Sequence, residues 1–410
     1  MATRDIRDYG ARVDGSTDDT DAVMDAIAAA STGDTIYFPP GTTRVYASVG
    51  AAIDLDDTIP DDLTLAGAGE STVVKMLPRS SEHIAWVIGV DGNDGPVRGL
   101  TIRDMVLDGN RAHTPRYSTM GFNLFPGGSG HDITIRDVRA QNSSESGFTL
   151  QGGYIEVVDC TAINNGRQGF GIKPRTDTGE PEVVLNNVLT VDNGKSGIDH
   201  NNGYAVIDGF WSENNAAGGA KVPWPATESV WRNGTFKSNG TMGFRYNGDY
   251  RDQTFRPFPI RLDNVVAEDN PWAGFWLAGD VTYDIGTIAA RRNNSSGRQS
   301  SNIEVLSYAD VDADTIYSSD ATGAGMYYSS DRHSVIRDYH VSGNRDGRLA
   351  GDQLSNLSID STHSSVAELN VPSRDEVGAW SSPSSTTSAD GSLQTAAGTL
   401  QADTGALQMR

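Results

Sequence analysis

The stretch NGKSGIDHNNG, residues 193–203, brings a lysine, an aspartate and a histidine into one short run rich in Gly and Asn. Lys195, Asp199 and His200 are residue types that act as acids, bases and anion ligands. Whether they act together depends on the backbone, because successive side chains of an extended strand point to opposite faces. A strand here would separate Asp199 from His200.

The surrounding sequence repeats and indicates a solenoid built from stacked coils. Short β-branched runs lead into an Asp or Asn, and a second Asn follows six residues later. This pattern recurs along the chain at a mean spacing of about 25 residues. The second Asn falls at Asn110, Asn165, Asn193, Asn239, Asn270 and Asn344. We expect these amides to form a hydrogen-bonded ladder along the stack. An antiparallel sandwich is the alternative, but it would need hairpin turns and gives no reason for a recurrent Asn.

A short alternating strand follows each Asn and is entered through Gly. The first and third residues after Gly form two largely apolar columns that we expect to face inward: Phe148, Phe170, Ile198, Ala220, Phe244, Phe275 and Leu150, Ile172, His200, Val222, Tyr246, Leu277. His200 is therefore predicted to be a hydrogen-bonded interior residue. Lys195 falls in the turn between Asn and Gly, away from both neighbours.

The second and fourth residues face outward and supply the candidate functional residues. Coils stack about 4.8 Å apart, so Lys173, Asp199, Lys221 and Arg245 should form one patch. Aromatic rings and amides extend this patch, and the predicted substrate-binding set is Lys173, Asn201, Trp224, Asn247, Tyr250 and Trp276. Sugar rings stack on aromatic faces, while cations hold carboxylate or sulfate groups. The alternative is a surface ladder in which Asp199 pairs with Lys173 and Lys221, contributing about 0.2–1 kcal/mol per pair.

The composition limits the partners of such a patch. The chain has 410 residues, with 54 Asp plus Glu against 32 Lys plus Arg, and its formal net charge is −22. This balance disfavours nucleic acid as a partner. The acidity and the presence of only five lysines fit either adaptation to very high salt or an ordinary acidic extracellular protein.

Cysteine content and apolar runs limit the class of protein further. The single cysteine, Cys160, excludes an internal disulfide framework and a Cys-based zinc site. No apolar run approaches the roughly 18 residues of a membrane span. The start, MATRDIRDYG, lacks the apolar core of a signal peptide. We therefore expect either a trimmed secretion signal or another route outside, such as assembly into a virus particle.

The N-terminal segment DYGARVDGSTDDTDAVMDAIAAA, followed by GDTIYFPPGTTRV, predicts an amphipathic helix ahead of the first coil. Thr17 or Asp18 is the expected N-cap, and Gly33 the expected end. Together with the Asn-punctuated coils, this segment resembles the pectin-lyase-fold superfamily over roughly residues 5–370. The resemblance implies an all-β protein, a right-handed parallel β-helix of about 10–12 coils with an N-terminal capping helix. The predicted organisation is a cap and first coil over 1–50, the β-helix over 51–371, and a tail over 372–410.

A second resemblance concerns chemistry. QGFGIK, KSGID and GGAKVPW are similar to strands of a calcium-dependent pectate lyase family, which implies that Lys221 is the base and Asp199 a calcium ligand. Gln168, Lys195 and Ser196 stand where that family has its other carboxylates, so calcium binding is not expected and no cofactor is predicted. Catalysis would then depend on the predicted catalytic residues Lys221, Arg245 and Asp199, by β-elimination from a uronate.

Glycoside hydrolysis is a further alternative, because it needs two carboxylates that flank the bond. Asp199 is one carboxylate on the predicted patch. The second would have to come from the loop GDYRDQTFRPFP, through Asp249 or Asp252.

The tail combines a Ser/Thr/Pro linker with three G-x-L-Q repeats spaced seven residues apart. These repeats suggest an oligomerising segment, a homotrimer by analogy with tailspikes, with disorder as the alternative. The predicted function is recognition of an acidic polysaccharide or cell-surface glycan by an extracellular or virion-surface protein, tailspike- or fibre-like, with or without depolymerisation. Other virion proteins are possible partners in that case. The alternative function is that of a secreted uronate polysaccharide lyase.

Overall fold

The fold was taken from a computed structural model. The structure describes residues 1–55, 58–91, 97–125, 132–173, 182–222, 228–246, 259–296, 301–364 and 369–378. These residues form thirty β-strands, one α-helix and four short 3-10 helices. The α-helix is α1, Thr20–Ala28, and the 3-10 helices are Ile6–Tyr9, Gly69–Ser71, Arg111–His113 and Leu354–Asn356.

The strands are β1 Thr3–Asp5, β2 Asp14–Asp18, β3 Thr35–Tyr37, β4 Gly41–Val45, β5 Gly50–Asp54, β6 Thr64–Ala66, β7 Thr72–Met76, β8 Ala85–Asp91, β9 Leu100–Asp108, β10 Thr119–Phe125, β11 Asp132–Gln141, β12 Phe148–Gln151, β13 Tyr154–Val158, β14 Thr161–Ile163, β15 Phe170–Lys173, β16 Val183–Val191, β17 Ile198–His200, β18 Ala205–Glu213, β19 Ala220–Val222, β20 Ser229–Lys237, β21 Phe244–Tyr246, β22 Ile260–Glu268, β23 Phe275–Leu277, β24 Thr282–Arg291, β25 Ser301–Leu306, β26 Asp310–Ser319, β27 Ala324–Ser329, β28 Ser334–Ser342, β29 Leu349–Ala350 and β30 Leu357–His363.

The described strands pair in parallel and divide into an 18-stranded sheet and a 12-stranded sheet. The 12-stranded sheet has the spatial order β5, β8, β10, β12, β15, β17, β19, β21, β23, β25, β27, β29. Each step along this sheet is one coil further along the chain, which is the architecture of a right-handed parallel β-helix. The predicted all-β solenoid is therefore confirmed.

The interior of the β-helix contains the two predicted apolar columns. In the 12-stranded sheet Phe148 pairs in register with Phe170, and the two rings stack with centroids 4.7 Å apart. Every member of both columns is buried, including the two polar members, His200 and Tyr246. Because the repeat aligns like residues in successive coils, one short alternating pattern is enough to specify a continuous core.

The asparagine ladder is present from Asn165 to Asn293, whereas the predicted member Asn110 donates instead to the Met76 carbonyl at 2.9 Å. The side-chain amide of Asn165 donates to Asn193 at 3.0 Å, Asn193 donates to Asn215 at 2.9 Å, and the series continues through Asn239 to Asn270. All of these amides are buried. The neighbouring glycine column is required by close approach, because a Cβ on Gly169 would lie 2.6 Å from the carbonyl oxygen of the next coil.

The first Asp or Asn of each repeat has a separate role. Asn187 and Asn233 lie within the long strands β16 and β20 and adopt φ values of +56° and +55°. Asn and Asp tolerate this left-handed conformation better than most residues. They therefore allow the long strands of the 18-stranded sheet to turn a corner, and the pairing skips this one residue and resumes in the same register beyond it.

The capping helix exists, but its predicted N-cap was wrong. Thr17 and Asp18 belong to strand β2, which pairs with β4, and Asp19 occupies the N-cap position. The Asp19 side chain accepts from the backbone N–H groups of Arg12 and Val13 instead of capping the helix. The strand pairing takes precedence over the local capping signal. The helix also ends at Ala28, before Gly33.

After the last coil, residues 369–378 run back across the 18-stranded sheet, and we refer to this segment as the C-terminal strap. Asn264 donates to the Asn370 carbonyl at 2.8 Å, and Arg374 pairs with Glu213 at 3.2 Å. The Gly378 N–H then donates to the Asn187 carbonyl at 3.2 Å. The linker and repeat tail predicted beyond residue 378 lie outside the described residues. None of the helices in the described ranges has the length and apolarity needed to cross a membrane.

Candidate functional site

The outer face of the 12-stranded sheet brings the predicted charged residues together. Pairing places Gly171, Asp199, Lys221 and Arg245 side by side in one outer column, and Trp276 follows Arg245. Lys173 and Asn201 lie two residues further along their coils, where Lys173 pairs with Gln151. We call the surface over this column the charged cleft.

Asp199 lies at the centre of the charged cleft and is only 5% exposed. Its Oδ2 atom accepts a hydrogen bond from Gln168 Nε2 at 2.9 Å and lies 3.9 Å from Lys221 Nζ. The Gln168 amide oxygen in turn accepts from Ser146 Oγ at 3.0 Å. The other carboxylate oxygen, Oδ1, is buried and has no hydrogen-bond partner among the described residues. A buried carboxylate oxygen without a donor is costly, and because this atom is enclosed, a ligand could reach it only if the Asp199 side chain moved.

Arg245 completes the cationic side of the cleft. Burial lowers the pKa of its guanidinium from the usual value, and the negative charge of Asp199 acts in the opposite direction. Lys221 and Arg245 are neighbours in register, so two cations and one carboxylate occupy three successive strands. The long Lys221–Asp199 contact leaves hydrogen atoms of the ammonium available to an anion.

A second carboxylate borders the cleft and was not predicted. Glu145 precedes strand β12, is almost fully buried, and forms an ion pair with Arg167. Burial raises the pKa of the Glu145 carboxyl, which the positive charges of Arg167, Lys195 and Lys173 partly offset. Backbone hydrogen bonds align Glu145, Arg167 and Lys195 as one column of turn residues beside the strands. Their shared position before Gly in successive repeats was the available sequence signal.

A pocket of about 220 Å³ opens at the N-terminal end of the charged cleft. Thr149 and Gly171 of the outer column line it, and Lys173 and Asn201 border it toward Asp199. Gly171 leaves space here, since a Cβ added to it would meet no atom closer than 3.7 Å. The pocket and the column that contains Asp199 therefore form one continuous surface.

His200 takes no part in the cleft, as predicted. It is fully buried, with Nε2 within 3.1 Å of the carbonyl oxygens of Asn202 and Gly203 and Nδ1 3.0 Å from Ser229 Oγ. Two carbonyl acceptors on one side assign the proton to Nε2, so Nδ1 accepts from the serine hydroxyl. Burial lowers the pKa of His200 to about 4. This histidine is neutral and structural.

Some of the remaining predicted residues lie outside the described ranges, and the others are the positions at which the resembling lyase family binds calcium. Trp224, Asn247 and Tyr250, and the alternative carboxylates Asp249 and Asp252, lie outside the described residues. The positions relevant to calcium are described, and their side chains do not fit that ion, because Gln168, Lys195 and Ser196 offer one amide, one cation and one hydroxyl in place of carboxylates. Within the described ranges, no three His, Cys, Asp or Glu side chains converge as a metal site would require.

The fold is that of the pectin-lyase-like parallel β-helices. A family model described as "Rhamnogalacturonase A/epimerase, pectate lyase-like" matches residues 3–244. This match covers more than half of the chain, and the protein belongs to that family. The resemblance inferred from the N-terminal segment and the coils is thereby confirmed.

The proteins of similar sequence include two enzymes of Azotobacter vinelandii. The mannuronan C5-epimerase AlgE6 of Azotobacter vinelandii is 37% identical over 173 residues, 40% of this chain and 20% of that protein. Alginate lyase 7 of the same organism is 32% identical over 206 residues, 47% of this chain and 23% of that protein. The chain thus spans less than a quarter of the length of either relative.

Solved structures support the same fold. The A-module of AlgE6 superposes with a TM-score of 0.71 at 21% identity, covering 89% of this chain and 100% of that chain. The N-terminal fragment of bacteriophage phi29 gene product 12 has a TM-score of 0.60 at 16% identity, covering 87% and 65%. At these identities the likeness concerns the fold alone.

Proposed function

We propose that the protein binds an acidic polysaccharide of the polyuronate type in the charged cleft. The observation that carries this proposal is the position of the buried Asp199 carboxylate next to Lys221 and Arg245 on successive strands. A uronate sugar offers a matching pair of groups. Its carboxylate can accept from the two cations, while its hydroxyl groups can donate to the Asp199 carboxylate.

Charge and relatives both support this substrate class. In a chain of net charge −22 with five lysines, Lys173 and Lys221 both lie on this one surface. The named relatives include enzymes of mannuronan and alginate. A surface that otherwise repels anions needs a local cationic cluster to hold one.

The direct test is binding of alginate, measured by isothermal titration calorimetry and compared with an uncharged dextran. Lys221→Ala and Arg245→Ala should each weaken alginate binding about tenfold, the loss expected for one charge-assisted hydrogen bond. Arg337→Ala is the matched control, because Arg337 lies in β28 of the 18-stranded sheet and pairs with Asp312 at 2.7 Å. Equal affinity for dextran, or an equal loss in Arg337→Ala, would refute the proposal.

β-Elimination at the same site is a second candidate function, favoured by the adjacency of Lys221 and Arg245 in register. Lys221 Nζ would take the proton from C5 of the uronate while Arg245 stabilises the charge on the carboxylate. The C4–O4 bond then breaks, a C4=C5 double bond forms, and the departing oxygen acquires a proton. Lys221 already contacts Asp199, and we therefore rank binding ahead of catalysis.

Elimination is tested separately from binding by the ultraviolet absorbance of unsaturated chain ends. Such ends should accumulate with the wild-type protein and disappear in Lys221→Ala. Alginate that binds but keeps its chain length would leave a recognition protein and exclude the lyase.

The setting of this activity is a further part of the proposal. We place the protein outside the cell, on a virion surface as a spike or fibre, with a secreted lyase as the alternative. A homotrimer is expected in the first case, and analytical ultracentrifugation of the full chain tests it. A monomer would contradict the spike assignment without affecting the binding experiment.

A further inference from the structure

The pocket at the N-terminal end of the charged cleft differs chemically from the rest of the cleft. Three side chains that line it are apolar or aromatic and belong to the first coils of the sheet: Ile84, Trp86 and Met120. Ile84 is 42% exposed. The opposite border carries Lys173 and Arg167. An apolar surface thus meets a cationic border within one pocket.

The local sequence makes room for this surface. Trp86 packs over Gly89 of the same strand, since a Cβ on Gly89 would lie 2.8 Å from the indole ring. Thr149 contacts Met120 through a hydroxyl to thioether distance of 3.5 Å. Gly171 adds no side chain between Thr149 and Asp199, so the floor of the pocket remains open.

Two donors beside the pocket lack acceptors among the residues that the structure describes. The indole Nε1 of Trp86 and the Nε of Arg167 are buried and have no hydrogen-bond partner among the described residues. Both side chains also line the pocket. A ligand group that combines a methyl group with a carbonyl acceptor would use the apolar surface and, after a small side-chain rotation, satisfy one of these donors. A plain hydroxyl group would leave the apolar surface unused.

We propose that this pocket recognises an O-acetyl group on a sugar of the bound polyuronate. This inference rests on the proposed function, because the charged cleft must hold the neighbouring uronate. The acetyl methyl group packs against Ile84 and Met120, and the chain continues along the outer column toward Asp199. The ligand is therefore a partially O-acetylated acidic polysaccharide and not a uniformly charged one.

The test compares chemically O-acetylated alginate with the same sample after alkaline deacetylation, so that chain length is matched. Burial of one methyl group gives about a fourfold preference for the acetylated polymer. Ile84→Ser should remove this preference, because it takes away the apolar side chain against which the methyl group packs. Its binding of the deacetylated polymer should persist, since Ile84 is not part of the column that contains Asp199 and Lys221.

Leu354→Ser is the matched control, because Leu354 is as exposed as Ile84 and lies in the 3-10 helix Leu354–Asn356, away from the pocket. It should keep the preference, and thermal unfolding of both variants verifies that they fold. Equal or weaker binding of the acetylated polymer overturns the inference alone. A preference that survives Ile84→Ser also overturns the inference alone. If neither polymer binds, the proposed function itself fails.

Discussion

The two faces of the 12-stranded sheet are built from the same backbone but follow different rules. Its inner face is largely apolar, and one inner column runs through Phe122, Phe148, Phe170, Ile198, Ala220, Phe244 and Phe275. Its outer face changes at each coil, through Thr149, Gly171, Asp199, Lys221, Arg245 and Trp276. Stacking fixes the inner face because each side chain must fit the one below it. The outer face is free to vary, and the candidate function lies there.

The largest effect should come from breaking the inner face. Phe244 is fully buried and packs against Trp231 and Phe236, with ring centroids 5.6 Å and 6.2 Å away. Phe244→Ala should lower the free energy of unfolding by about 3–5 kcal/mol, because it leaves a cavity in a stacked core. Urea denaturation followed by circular dichroism measures this loss.

Trp276→Ala is the opposite-face control, since Trp276 is half-buried on the outer column. Its loss should be clearly smaller than that of Phe244→Ala. Equal losses would show that the two faces do not differ in their contribution to stability.

The next largest effect on stability depends on pH and concerns His200, a titratable residue of the inner face. Its folded pKa is about 4, below the usual 6.5. The unfolded chain therefore binds the proton more readily, and stability is full above pH 6.5 and falls as pH drops toward 4. Between pH 7 and pH 4.5 the loss from this residue should be about 2–3 kcal/mol.

His200→Gln, which does not titrate, isolates this contribution from the carboxylates of the protein. The difference in unfolding free energy between wild type and variant should shrink as pH is lowered over that window. A difference that stays constant with pH would mean that His200 does not resist protonation in the folded state.

A smaller effect is expected for the asparagine ladder. Asn215 Oδ1 accepts from the Asn193 backbone at 3.2 Å and from its side chain at 2.9 Å, and Asn215 Nδ2 donates to Asn239. Asn215→Ala leaves these buried groups without partners and should cost about 1–3 kcal/mol. Thermal unfolding should compare it with Asn186→Ala, which loses one marginal 3.4 Å contact to Glu156. If the ladder did not contribute to stability, the two variants would lower the unfolding temperature equally.

The smallest stability effect should accompany a large functional one. Lys221→Ala removes a partly exposed lysine whose contact with Asp199 is 3.9 Å, and it should change unfolding free energy by less than about 1 kcal/mol. The affinity of the same variant for alginate should fall about tenfold. A loss of stability as large as that of Phe244→Ala would instead make Lys221 a structural residue.

Much of the fold could be predicted from the sequence, because each coil of the solenoid repeats the same pattern of apolar, Gly and Asn positions. The alternation after each Gly assigned Asp199 to the outer face and His200 to the interior, and a recurrent Asn indicated the ladder. These inferences rest on periodicity, and periodicity persists when single residues vary. The N-terminal helix occurs once, so its start depended on one capping signal, which the pairing of β2 with β4 outweighed.

The candidate site was only partly predictable for the same reason. The outer column was identified, but Glu145 and Arg167 reach the cleft from turns, where the direction of a side chain follows from backbone conformation and not from alternation. The apolar pocket was missed because Ile84 and Trp86 come from a coil before the recognisable repeat. No period links those residues to Asp199, although their side chains line the pocket that borders the cleft.

The C-terminal strap gives the β-helix a mechanical property that its coils alone would lack. A pull on the last coil of a solenoid would remove strands one at a time, because the outermost strand is always held by a single neighbouring strand. The strap instead attaches near Asn187 and Glu213, well inside the stack. Force applied at Gly378 would load several coils in shear together, so this end of the protein should resist tension better than a free coil would.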